Sequence, residues 1–450
     1  MVANGAIAMR RVTDMVEDAR TYDPTGEVVD ICRELIRIDT QNFGDGSGPG
    51  ERKAAEYVAQ LLDEVGIESQ IHESAPGRAS LVARWGDHSG SEPPLLIHGH
   101  LDVVPAEARD WSHDPFAADV VDGYLYGRGA VDMKDFDAMV LSVVRARQRA
   151  GVPPKRPIVL AFTADEEAGS LYGAHWLVDE HPDLVADCTE AIGEVGGFST
   201  DVGGQRLYVI ESGEKGISWM RLRADGTAGH GSMRQPDNAV TAVAEAVAAI
   251  GAHEWPAQPG PSIGLLLDKV SELTGIDRSD TERLMAEFGP AVRMIGAGMR
   301  NITNPSMLEA GYKVNVVPSH AEARVDGRFL PGQQDTFMHD VQQIIGDKVR
   351  AVSDVFQPAL EYEFTGDLVD AMAVSLTAED PDAHVAPFLM SGGTDAKAWD
   401  RLGIRSYGFT PLRLPADLDF TALFHGVDER VPTDALEFGA RVFDRLVDIA

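Results

Sequence analysis

The sequence predicts an α/β protein with a mixed, largely parallel sheet flanked by helices and an inserted two-layer α/β sandwich. Three observations carry that expectation. Buried-strand runs alternate with amphipathic helical patterns up to about residue 212. From there the chain alternates apolar and polar residues like half-exposed antiparallel strands, and past about residue 367 the first style returns. A chain of 450 residues is also too long for one ordinary core, so two domains are expected.

Residues 1–22 read as polar and peripheral. Asp23-Pro24-Thr25 opens a helix with Val28, Ile31, Cys32, Leu35 and Ile36 at helical spacing. A second helix covers about 51–65, with Ala54, Val58, Leu61, Leu62 and Val65 on one face and Gly66 as its stop. Strand-like runs follow at 67–72, 79–85 and 94–100, then a helix at 135–150 and a buried strand, PIVLAFTADEE, at 157–167. In the insert, GISWMRLRA (216–224) is a strand and 238–250 a helix. YKVNVV (312–317) and AEARVDGRFL (321–330) are further strands before a helix at 333–346. Residues 251–300 hold Pro-rich and polar turns around a short helical pattern and are the hardest to place. That order, strand-helix-strand-strand-helix-strand, is a two-layer sandwich. A helix from Thr433 closes the chain.

Composition excludes several classes. The net charge of −33 repels phosphate backbones, so nucleic acid is not an expected partner. No 18-residue apolar run exists to span a membrane, and MVANGAIAMRRVTDMVEDA lacks the apolar core of a secretory signal. Cys32 and Cys188 are the only cysteines, which argues against a disulfide framework and for a reducing cytoplasm. Two thiols cannot build a structural zinc knot, so a metal here must be held by imidazoles and carboxylates.

The stretch 95–135 concentrates such groups. LLIHGHLDVVP ends an apolar run in His100 and Asp102, whose side chains share one side of an extended chain, so Asp102 could fix the His100 tautomer. DGYLYGRGAVDMKD bends at Gly127 and Gly129 and delivers Asp132 just before a helix. A lone His-x-Asp is usually a satisfied surface histidine. The company changes that reading: Glu166 and Glu167 close an apolar strand, Glu194 sits in AIGEVGGFS, and His425 in LFHGVDERVP. Two imidazoles with several carboxylates and no thiolate suit zinc, cobalt or manganese, and a pair of cations bridged by one carboxylate absorbs the clustered charge. Adjacent glutamates at a strand end point in different directions, so one can bind metal while the other takes a proton from the attacking water.

GHLDVVP, DGYLYGRGAVDMK, DEEAGS, GEVGG, GHGSM, VNVVP, GRFLPG, SGGTDA and FHGVDERV, in this order, resemble a known superfamily of co-catalytic zinc metallopeptidases. It comprises aminoacylase, glutamate carboxypeptidase, acetylornithine deacetylase and succinyl-diaminopimelate desuccinylase. The resemblance runs from about residue 28 to the C-terminus. It implies a zinc-peptidase-like catalytic domain from 1–213 and 367–450, and a lid and dimerisation domain from 214–366. Asp132 would bridge two zinc ions, with His100 and Glu194 on one and Glu167 and His425 on the other. Glu166 would be general base and then acid, and Asp102 the partner of His100. A cis bond after Asp132 is a further family trait. His230 would reach into a partner subunit's site to stabilise the oxyanion, while Asn315, Arg328, Gly393 and Thr394 would bind the substrate's carboxylate.

In the family, carboxypeptidases and deacylases carry Glu at the Glu194 position and aminopeptidases carry Asp. With Arg328, this points to cleavage of the amide beside a free carboxylate in N-acyl amino acids or small peptides, and away from ureido substrates. The expected protein is a cytoplasmic homodimer. Rival readings are a dipeptidase or aminopeptidase for unblocked dipeptides, a non-catalytic binding homologue, and a structural dimerisation protein.

Overall fold

The computed structural model describes residues 22–450; the expectations for the N-terminal segment, its peripheral place and its want of a secretory signal, concern residues outside that range apart from Tyr22. The large sheet runs in the order Ser69–Ala75, Arg78–Trp85, Ile158–Thr163, Leu95–His100, Glu190–Gly193, Arg405–Gly408, Gln205–Glu214, Leu360–Glu361. Its four central strands, from Ile158–Thr163 to Arg405–Gly408, are parallel, and the strands on either side of them join antiparallel. His384–Met390 pairs in parallel with Gln205–Glu214.

Both faces of this sheet are covered, which is why its strands read as unbroken apolar runs. In Ile158–Thr163, Ile158, Leu160 and Phe162 join the main core, while Val159 and Ala161 face a second cluster around Trp399 and Leu177. The main core is closed by helices Val28–Arg37, Arg52–Asp63 and Thr433–Ile449, whose buried residues recur at helical spacing, and by Lys134–Ala150, which is buried all round from Lys134 to Arg145.

The second sheet is antiparallel in the order Ile302–Ala310, His320–Phe329, Gly216–Asp225, Arg350–Gln357. Helices Ala239–Gly251 and Gln334–Ile345 cover one face, with Phe337 of the second helix packed among Met220, Leu222, Ala323 and Val325 of the sheet. One expectation needs correction. YKVNVV is not a strand of this sheet; only Val316–Val317 is extended, pairing with Gly229–His230. The edge strand is instead Ile302–Ala310, whose Pro305 lies at an irregularity in the ladder, where a missing N–H costs little. Residues within 214–366 pack on two cores. Helix Pro261–Thr274 buries Ile263, Leu266, Leu267 and Val270 against the large sheet, and Leu284, Phe288 and Ile295 join the same core.

Among the described residues no helix is long and apolar enough to cross a membrane. Cys32 and Cys188 are free and buried.

Candidate active site

Three adjacent parallel strands set the stage, because ligands in such sheets gather beyond the strands' carboxyl ends. His100 is the last residue of Leu95–His100, Glu194 follows Glu190–Gly193, and Glu166 and Glu167 follow Ile158–Thr163. The parallel register that pairs His100 with Thr163 puts these ends level. Asp165, in the left-handed region at φ 66°, turns the chain into the single turn Glu166–Ala168.

Asp132 and His425 come from a different construction. A small three-stranded sheet pairs Arg430–Pro432 with Tyr124–Tyr126, bringing the two glycine-containing loops together. A buried Arg128–Glu429 ion pair locks them: Glu429 Oε1 accepts from the Val131 amide at 2.9 Å and Arg128 Nη2 donates to the His425 carbonyl at 3.3 Å. The Asp132–Met133 peptide bond is cis.

The result is a single cluster. His100 Nε2 lies 3.1 Å from Asp132 Oδ1, 3.6 Å from Glu194 Oε2 and 3.8 Å from Glu166 Oε2. His425 Nε2 lies 3.3 Å from Asp132 Oδ2 and 3.0 Å from Glu167 Oε2. Asp132 thus turns one carboxylate oxygen to each imidazole. Two ligand atoms on one tetrahedral zinc stand about 3.3 Å apart, so these separations, the shorter of which are also those of N–H···O hydrogen bonds, suit ligands around a cation. Glu167 Oε1, buried without a hydrogen-bond partner among the described residues, is a ligand atom of the kind a cation satisfies. His100, Glu166 and Glu194 form one group of convergent ligand atoms, and His100, Asp132 and Glu167 another. The residues fit a metal pair.

The electrostatics agree. Burial pushes Glu194 up to about 7, partly offset by His100, and pushes Glu166 well above the carboxylate range with the Glu194 charge adding to it. Burial alone would depress His100, but Glu194, Asp132 and Glu166 hold it well above the usual imidazole value. Contacts with Asp132 and Glu167 raise His425 to about 10. Against its own burial, Asp132 is driven below the usual range by the two imidazoles.

Asp102 holds His100 differently from the expectation. His100 Nδ1 donates to the Asp102 carbonyl at 2.9 Å, while the nearer carboxylate oxygen stays 3.6 Å away. That carboxylate instead accepts the amides of Glu166 and Glu167, at 3.0 and 3.2 Å.

The remaining expected residues are spread further. His230 is exposed, with Nδ1 2.8 Å from Ser232 Oγ. Asn315 is exposed and its carbonyl accepts from Gly231. Arg328 is held bidentately by Asp326 at 2.7 and 3.1 Å. Thr394 donates its amide to buried Glu214 at 2.8 Å, and a Cβ on Gly393 would meet Ile217 and Lys397. Sequence reasoning missed Asn42 and Asp395. Asp395 accepts from Thr163 and Ser170, tying the 393–395 loop to the Glu166 turn.

The model of peptidase family M20/M25/M40 matches residues 96–449. The chain is 29% identical over 379 residues to probable carboxypeptidase S-like 2 of Dictyostelium discoideum, covering 78% of this chain and 70% of that one. It is 26% identical over 432 residues to Aminoacylase-1 of Homo sapiens, covering 93% and 94%. The solved M20 family metallo-carboxypeptidase Sso-CP2 from Sulfolobus solfataricus shares the fold, with a TM-score of 0.70 at 17% identity over 94% of this chain and 99% of that one. A family match that begins within the His100 strand and runs to the last helix means that the chain belongs to peptidase family M20/M25/M40 and is a hydrolytic metallopeptidase.

Proposed function

We propose that this enzyme uses two zinc ions to hydrolyse the amide beside a free carboxylate in N-acyl amino acids or short peptides. The observation that carries the reading is the split Asp132 carboxylate, one oxygen toward His100 and the other toward His425. His100, Asp132 and Glu194 would hold one ion, and Asp132, Glu167 and His425 the other. Cobalt or manganese could take the same donors. Ions bound there would polarise the scissile carbonyl and would make water acidic enough to attack at neutral pH.

The chain's own residues do the rest. Glu166, set at the strand end beside His100 and Glu194, takes the proton of the attacking water and returns it to the leaving nitrogen. Arg328 exchanges Asp326 for the substrate carboxylate, with Asn315 and the Gly393–Thr394 backbone completing that pocket. His230 serves the oxyanion from the smaller domain of a second subunit. The domains we assign are 1–213 with 367–450 as catalytic and 214–366 as lid, the helices between 261 and 299 serving the catalytic core. We place the enzyme in the cytoplasm as a homodimer; two free, buried cysteines support a reducing compartment.

The test is a hydrolysis screen of metal-stripped protein with zinc, cobalt or manganese restored, on N-acetyl amino acids, their carboxamides and unblocked dipeptides. Cleavage of the free acids over their carboxamides is expected. Equal cleavage of the carboxamides overturns the carboxylate requirement, and preference for unblocked dipeptides moves the enzyme to the dipeptidase reading.

A further inference from the structure

Behind the two glutamates lies a polar assembly that the proposed chemistry does not use. Asn42 is 4% exposed, on the loop after helix Val28–Arg37, and carries no motif in the sequence. Its main chain is zipped to the strand exit: the Asn42 amide donates to the Val103 carbonyl at 2.9 Å, and Val103 donates to Thr40 at 3.2 Å. Its side-chain amide is fully employed. Nδ2 donates to Asp102 Oδ2 and to Asp165 Oδ1, both at 2.9 Å. Oδ1 accepts from Arg78 Nη2 at 2.9 Å and from the Gly44 amide at 3.0 Å. One donor to each of two buried carboxylates is what keeps those acids beside each other, since unscreened they repel.

Both acids set the geometry of the next residues. Asp102 receives the Glu166 and Glu167 amides, and Asp165 Oδ2 receives the Tyr172 amide at 3.0 Å. Asp165 also has the left-handed backbone that starts the turn, a conformation a non-glycine residue keeps only where its surroundings hold it. On the far side Arg78 is 6% exposed and ion-paired with fully buried Glu51, so its guanidinium polarises the Asn42 carbonyl and strengthens the Nδ2 donors.

We infer that Asn42 is a positioning residue: by bridging Asp102 and Asp165 it fixes the directions in which Glu166 and Glu167 leave the backbone. This rests on the reading of Glu166 as base and Glu167 as ligand. An error of about 1 Å in such a group costs on the order of 100-fold in rate. Asn42 touches no substrate in this arrangement, so its loss acts on kcat rather than on KM.

Two measurements on Asn42→Ala and Asn42→Asp decide it. Amide hydrogen exchange of the metal-free proteins needs neither metal nor substrate. Exchange at Glu166 and Glu167 is expected to rise about tenfold, the worth of one buried hydrogen bond, while strand Ile158–Thr163 stays protected. In the metal-loaded enzyme, kcat is expected to fall about 10- to 100-fold with KM within about threefold, further for Asn42→Asp, which sets a third carboxylate beside the other two. Should Asn42→Ala fail to fold, Asn42→Ser carries the same readouts. Unchanged exchange at Glu166 and Glu167, or a lower melting temperature with kcat intact, overturns the inference. A wild-type protein that cleaves nothing overturns the hydrolytic reading instead, and the exchange result still decides the bridge.

Discussion

Metal binding to this site must displace protons, and the count follows from its charges. Without cations, His425 titrates near 10 because it touches Asp132 and Glu167, and His100 is held well above the usual imidazole value despite its burial. His425 is half open to solvent, but its elevation comes from direct contact with two carboxylates. At pH 7 both rings are therefore cationic, and each must lose a proton to become a ligand. Glu194, pushed up to about 7 by burial, contributes about half a proton more. Loading the pair at pH 7 should release at least about two protons, with Glu167, also raised by burial, adding to them, so the apparent affinity rises by about two decades or more per pH unit and weakens as pH falls. Isothermal titration of stripped protein with zinc, in buffers of different ionisation enthalpy, reads that number directly as a slope. A slope below one proton refutes the reasoning, because it means that these imidazoles are not displaced from carboxylates by the ions.

Two substitutions probe separate parts of the account. Glu166 Oε2 stands 3.8 Å from His100 Nε2, close enough to be a ligand as well as a base. Glu166→Gln should lower kcat by about 10²- to 10⁴-fold with two metal ions per chain retained, as measured by plasma emission; loss of one ion would make Glu166 a ligand. Lys397, fully buried, donates to the Lys215 carbonyl at 2.9 Å and the Pro358 carbonyl at 2.8 Å, and pairs with Glu214 at 3.0 Å. It thereby clasps two of the connections between the two sheets, at Lys215 and Pro358. Lys397→Met leaves Glu214 buried and unpaired, so unfolding in urea should show a loss of about 3–5 kcal/mol, and a loss under about 1 kcal/mol would contradict the clasp.

What could be read in advance depended on how locally each feature is encoded. The parallel strands were legible because burial on both faces writes them as apolar runs, and their polar exits named His100, Glu166, Glu167 and Glu194. Edge strand Ile302–Ala310 was not, since its exposed face and Pro305 carry no strand-like alternation. Helix Pro261–Thr274 did carry the spacing Ile263, Leu266, Leu267, Val270, hidden among proline and glycine turns. Asn42 was beyond reach. Its role exists only through Asp102 and Asp165, which lie 60 and 123 positions further along the chain. Asp102 shows the subtler limit: the right residue stood behind His100, but backbone geometry set its carbonyl rather than its carboxylate against the ring.

The central claim is that Asp132 divides two cations between His100 with Glu194 and His425 with Glu167. Anomalous scattering at the zinc edge, from crystals of the zinc-loaded protein, tests it most directly. The account predicts two peaks about 3.5–4 Å apart, with Asp132 bridging them and one imidazole on each. A single peak, or two peaks that do not share Asp132, would contradict it.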